Sequence, residues 1–124
     1  MDINAKNQAV LAYIGDAIYE LEIRKYLLSK NINNVNELQK EAVLYVSARA
    51  QANILNVLIE KSVLTDEEIT IIKRARNYKP ASKPKHSDIK TYKKATALEA
   101  LFGTLYLNND KIRIKEIMKE IIGD

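Results

Sequence analysis

The chain has 124 residues, 47% of them apolar and 29% charged, which is the size and make-up of one globular domain able to bury a core. With no cysteine and a single histidine (His86) it offers neither disulfides nor a zinc-type cluster, so any metal would sit among oxygen ligands, favouring Mg²⁺ or Mn²⁺. No apolar run approaches the roughly 20 residues that span a bilayer and the start, MDINAKNQAV, lacks signal-peptide features, so the expected location is the cytoplasm, with no membrane partner.

Three glycines, two prolines and apolar residues recurring at three and four predict an all-α domain of five or six helices. The first is expected over about residues 7–29, with Val10, Ile14, Ala17, Leu21 and Leu28 along one apolar stripe, ending near the polar Asn31 to Asn34. A helical stretch rich in alanine and leucine follows from Val35 to about Val63, with room for one break. Thr65 and Glu68 form a capping box, so another helix starts there and turns Ile69, Ile71 and Ile72 toward the core. Its last turn carries Lys73, Arg74 and Arg76, where positive charge complements the helix dipole. Residues 78–87 hold both prolines and three lysines, the composition of an exposed, mobile loop. Ser87 is the expected N-cap of a helix reaching about Asn108. Asp110 caps a final helix with Ile112, Ile114, Ile117, Met118 and Ile121 on its apolar faces. No repeat or composition shift divides the chain, which reads as a single domain over 1–124 with a basic loop at about 77–87.

The net charge of +4 conceals an uneven distribution. Residues 73–94 hold nine Lys or Arg against one Asp, leaving the rest of the chain net acidic. So many cations in one segment repel each other unless a polyanion is available, which points to a nucleic-acid partner. The cations and polar groups singled out are Lys73, Arg74, Arg76, Asn77, Lys79, Lys83, Lys85 and His86, the last as a phosphate contact rather than a general base. Tyr78 and Tyr92 flank the segment and could either stack near such a partner or pack over the core.

Two acidic motifs lie far apart in the chain, YIGDAIYE (Tyr13 to Glu20) and ALEALFG (Ala97 to Gly103), each setting a carboxylate into an apolar helical segment. Gly15, beside Asp16, costs about 1 kcal/mol relative to alanine inside a helix, so it suggests close packing or close approach of a ligand. Around Glu99, the small residues Ala95, Ala100 and Gly103 would let another helix come near. If the two helices cross here, two charges about 4 Å apart repel by roughly 4 kcal/mol at an effective dielectric near 20, which protonates one or recruits a divalent cation. Glu20, one turn beyond Asp16, could orient a water at such a site or pair with Arg24.

The segments LAYIGDAIYELEIRKYLL (Leu11 to Leu28), LYVSARAQANIL (Leu44 to Leu55) and TALEALFGTLYL (Thr96 to Leu107) resemble, in order, three segments of the ribonuclease III family. Chain length and the RNYKPASKPKHSDIKTY stretch look more specifically like its Mini-ribonuclease III subgroup, a catalytic domain without a double-stranded-RNA-binding domain. The resemblance implies an all-α ribonuclease III endonuclease-domain fold of five to seven helices that dimerises. It also implies Mg²⁺, with Mn²⁺ as a substitute, and hydrolysis of double-stranded RNA to 5′-phosphate and 3′-hydroxyl ends. The substrate it implies is the precursor of large-subunit (23S) ribosomal RNA, with a large-subunit ribosomal protein as an open further partner. By position, Asp16 matches the catalytic aspartate of the "GDA" motif and Glu99 the glutamate of "LEAL", so these two are the expected metal ligands. Two further family carboxylates are replaced, by Ala12 and Thr96. Their loss leaves open a catalytically silent RNA-binding or ribosome-associated module, and the small basic helical composition is compatible with a helix-turn-helix DNA binder, although the densest charge lies in a proline-containing loop rather than in a recognition helix.

Overall fold

In the computed structural model, residues 1–78 and 88–123 are described, so the expected basic loop, with Lys79, Lys83, Lys85, His86 and Ser87, lies outside the described residues. A short 3-10 turn (Ile3–Ala5) leads into α1 (Gln8–Ser29), α2 (Val35–Val46), α3 (Ala48–Glu60), α4 (Asp66–Asn77), α5 (Ile89–Leu107) and α6 (Lys111–Ile122), with no strand among the described residues. Each helix starts on a polar cap. Asn7, Asn34, Ser47, Thr65, Asp88 and Asp110 each accept a backbone N–H of the first turn, which satisfies donors that have no intrahelical partner. At α4 the expected capping box is present, with the Thr65 hydroxyl accepting from the Glu68 N–H (3.1 Å) and the Glu68 carboxylate from the Thr65 N–H (2.9 Å). Asp88, rather than Ser87, caps α5, its side chain accepting from the Thr91 N–H at 2.8 Å. The expected break in the second helical stretch falls at Ser47, where α2 and α3 bend by 50°.

Helix α5 is the centre of the domain. Ala95, Ala97, Leu98, Ala100, Leu101, Phe102, Gly103 and Leu105 are buried around most of its circumference, as expected of a helix covered on several sides. Helices α1, α3, α4 and α6 all pack against it, with α1 making the largest contact. That contact is backbone on backbone. A methyl placed at Gly15 would lie 1.6 Å from the Glu99 carbonyl oxygen, and one at Gly103 would lie 2.0 Å from that of Leu11.

This contact overturns the expected orientation of α1. Its core-facing residues are Leu11, Ala12, Gly15, Tyr19, Ile23 and Leu27, whereas Val10, Ala17, Leu21 and Leu28 of the expected stripe are exposed and Ile14 is half-buried. Both stripes satisfy helical periodicity, but only the one containing Gly15 admits a second backbone. On α6, Ile114, Ile117 and Met118 are buried as expected, while Ile112 is exposed. Of the α4 isoleucines, Ile72 is fully in the core and Ile69 and Ile71 are partly buried. Two polar ties complete the packing. Arg113 of α6 donates to both carboxylate oxygens of the buried Glu68 at 2.8 Å and to the Val63 carbonyl at 2.7 Å. Burial alone would raise the Glu68 pKa, but these bonds and the Thr65 N–H hold it below the usual carboxylate range.

The glycine contact sets a sharp test. Gly15→Ala should destabilise the protein by about 3 kcal/mol or more, because the added methyl meets α5 backbone rather than a side chain that can move. Urea unfolding of the variant against the parent measures this, and a loss below about 1 kcal/mol would contradict the described approach of the helices.

Candidate active site

The crossing fixed by Gly15 and Gly103 brings the two acidic motifs together. Asp16 follows Gly15 on α1, and Glu99 is the residue of α5 on whose carbonyl Gly15 rests. Both carboxylates line one cleft of about 450 Å³, and Ala12 and Thr96, the positions of the two replaced family carboxylates, line it with them. Tyr13, which is 82% exposed, stands on the α1 wall. The opposite side is formed by Tyr92 and Lys93 of α5 and by Ala75 and Tyr78 at the end of α4.

Asp16 is exposed and Glu99 half-buried, so the pair spans the wall of the cleft from rim to floor. Burial above all, then the charge of Asp16 and the hydrogen bond between the two carboxyls, pushes Glu99 up to about 8, while the Gln51 amide acts in the opposite sense. Below that pH a proton on Glu99 relieves its repulsion with Asp16. Among the described residues no group of three or more His, Cys, Asp or Glu converges, so the carboxylates that line the cleft are these two. The donor set fits a divalent ion of the Mg²⁺ type, which accepts one or two carboxylates and keeps several waters. A cation would also replace the proton that now relieves the like charges.

The other expected site residues divide. Glu20 does not reach the cleft. Its carboxylate accepts from Arg24 Nη2 at 3.2 Å, and both residues line a separate groove between α1 and α2. Lys73, Arg74, Arg76 and Asn77 are exposed in the last turns of α4, next to Ala75 and Tyr78 of the cleft, although Arg74 faces a small hollow beside Lys6. One residue lining the cleft and one buried polar residue of α3 were not singled out in the sequence. Lys93 stands on α5 three residues before Thr96 and six before Glu99, a helical spacing that could have marked it. Gln51, flanked by Ala50 and Ala52 on an otherwise apolar face, is a polar residue where a core residue is expected.

Residues 9–110 match the profile described as the Ribonuclease III domain. The chain therefore belongs to the ribonuclease III family and is an endoribonuclease, a hydrolase of the kind that acts on double-stranded RNA. Its relatives include the Mini-ribonuclease 3 of Brevibacillus brevis, 45% identical over 119 residues that cover 96% of this chain and 87% of that protein. The Mini-ribonuclease 3 of Staphylococcus aureus is 40% identical over 120 residues, covering 97% and 90%. A Fusobacterium nucleatum protein solved by X-ray crystallography superimposes with a TM-score of 0.84 at 39% identity, over 98% of this chain and 96% of that one. These relatives remove the ground for a silent module or a helix-turn-helix DNA binder.

The raised Glu99 makes stability depend on pH in a definite sense. Between its ordinary value of 4.5 and about 8, the folded metal-free protein holds a proton that the unfolded chain has lost, so stability falls as pH rises through that window. Glu99→Gln should remove this loss, raising the urea midpoint relative to the parent at about pH 9 but not at about pH 4 when both are measured in chelator. Identical pH profiles would show that Glu99 is not strained by its site.

Proposed function

We propose that this chain is a Mg²⁺-dependent endoribonuclease that cuts double-stranded RNA, leaving 5′-phosphate ends, and that it matures the ends of large-subunit (23S) ribosomal RNA precursors in the cytoplasm. The observation that carries the reading is the meeting of Asp16 and Glu99 in one cleft, with Ala12 and Thr96 beside them. Asp16 and Glu99 are the residues that would hold the ion, with Mn²⁺ as a substitute. The ion, when bound, supplies an activated water and screens charge on the nonbridging phosphate oxygens. To hold the ion, Glu99 would have to be in its carboxylate form. Lys93 adds positive charge to the wall across which the phosphate must lie, and Tyr78 and Tyr92 narrow that wall.

Substrate affinity falls to the basic segment, from Lys73, Arg74, Arg76 and Asn77 at the end of α4 to Lys79, Lys83, Lys85 and His86 in the loop at about 77–87. Residues 1–124 act as one catalytic domain, and these cations track phosphates and 2′-hydroxyls of the duplex. The resemblance to the Mini subgroup supports the ribosomal substrate and, as a further partner, a large-subunit ribosomal protein that presents it.

A homodimer belongs to the same reading, since cutting both strands calls for two sites related by a two-fold axis. The exposed stripe of α1, with Val10 (45% exposed), Leu21 (52%) and Leu28 (56%), supports it, as does the outer face of α2 with Val35, Val43 and Leu44.

Asp16→Asn should lower cleavage of duplex RNA by about 10³-fold or more while binding of the RNA in chelator stays within about threefold of the parent. The parent should leave duplex DNA intact and stop cutting RNA without a divalent ion. Undiminished cleavage by the variant would reject the site. Separately, Leu21→Glu and Val43→Glu should shift the sedimenting species from two chains to one and lower cleavage, as charge on an apolar interface disfavours association. An unchanged dimer mass in both would place the interface elsewhere, and a parent that sediments as one chain would reject the dimer.

A further inference from the structure

The chain has five threonines, and four of them engage their hydroxyls locally. Thr65 accepts the Glu68 N–H at 3.1 Å, and Thr91 donates to the Asp88 carboxylate at 2.9 Å. Thr70 and Thr104 donate to the carbonyls one turn back, of Asp66 at 3.0 Å and of Ala100 at 2.8 Å. Such back-bonding is the ordinary use of a threonine hydroxyl inside a helix. Thr96 is the exception. Half-buried within α5, it lines the cleft, and its hydroxyl has no hydrogen-bond partner among the described residues.

Lys93 stands three residues earlier on the same helix, a spacing that makes side chains neighbours, with roughly 5–6 Å between Cβ atoms. It is half-buried and is the one cation among the described residues that line the cleft. No ion pair joins it to Asp16 or Glu99 among the described residues. The α5 wall thus presents an ammonium and a hydroxyl whose donors the protein does not use. Phosphate oxygens are the acceptors that suit this pair, since a charged donor and a neutral one can bind two oxygens of one group. Ionised carboxylates repel a phosphate, so a strand entering the cleft is attracted at the Lys93 end. A carboxylate at position 96 would cancel that attraction, because it would pair with Lys93 at helical spacing and add like charge against the strand.

We propose that Lys93 and Thr96 form a phosphate subsite, which takes one backbone phosphate of the RNA beside the acidic pair and holds it without the help of a metal ion. The inference rests on the reading of this cleft as the place where RNA is cut.

The test follows binding of duplex RNA by the whole protein in chelator over a range of salt concentrations. Lys93→Met should weaken binding about tenfold at low salt and flatten the slope of log affinity against log salt by about one unit, the counterion share of one phosphate. Lys93→Arg should keep the parent's slope. Thr96→Val, which removes a neutral donor, should lower affinity about threefold with the slope unchanged. Thr96→Asp should flatten the slope as Lys93→Met does. A slope within about 0.3 of the parent's in a Lys93→Met variant that still melts cooperatively, with Asp16→Asn inactive, would overturn the subsite and leave the active-site reading standing. Undiminished cleavage by Asp16→Asn would overturn that reading and this inference with it.

Discussion

The backbone contact between α1 and α5 is the constraint on which the rest of this molecule depends. Gly15 rests on the Glu99 carbonyl and Gly103 on that of Leu11, and neither position has room for a methyl group. So close an approach commits α5 to the centre of the domain, where its alanines and Gly103 face neighbours on several sides, and leaves α2 and α6 to cover what remains. Ordinary side-chain packing would hold the helices 8–10 Å apart. At that separation Asp16 and Glu99 would still share a region of the surface, but they would not act as one acidic pair.

The same contact creates the electrostatic problem of the site. Two carboxylates are brought together, one of them half-buried, in a cleft where the remaining family positions hold Ala12 and Thr96. A denser carboxylate shell would bind a cation more firmly, yet it would also add like charge that the metal-free fold must carry. With two, a single proton on Glu99 relieves the repulsion. Lys93 on the wall adds positive charge beside the pair without pairing either acid among the described residues.

Much of this was legible in the sequence, for local reasons. The caps at Thr65 and Asp110, the break within residues 35–63 and the significance of a glycine beside Asp16 all follow from chemistry within a few residues. What failed to read was the face of α1. That helix is apolar on nearly every side, so periodicity supports two stripes, and only the tertiary fact that a second backbone lies against Gly15 decides between them. Ile112 fails for a related reason, since it stands in the first turn of α6 beyond the reach of the core. Glu20 shares a face with Asp16 in one dimension, but Arg24 one turn away takes its carboxylate. Gln51 could not be assigned because its partner carbonyl exists only once the chain bends at Ser47.

That bend links the two least ordinary surfaces of the domain. No residue of α2 is fully buried, and its apolar residues divide between an inner set, Leu38, Ala42, Tyr45 and Val46, against the core and an outer set, Val35, Val43 and Leu44, facing out. A helix held by one half-buried face contributes little stability of its own, so its position depends strongly on what binds its ends and its outer face. At the C-terminal end the binding groups are Tyr19 and Gln51. Those bonds tie the Tyr45 and Val46 carbonyls to side chains buried in α1 and α3, so the bend is set from the core side of the helix pair.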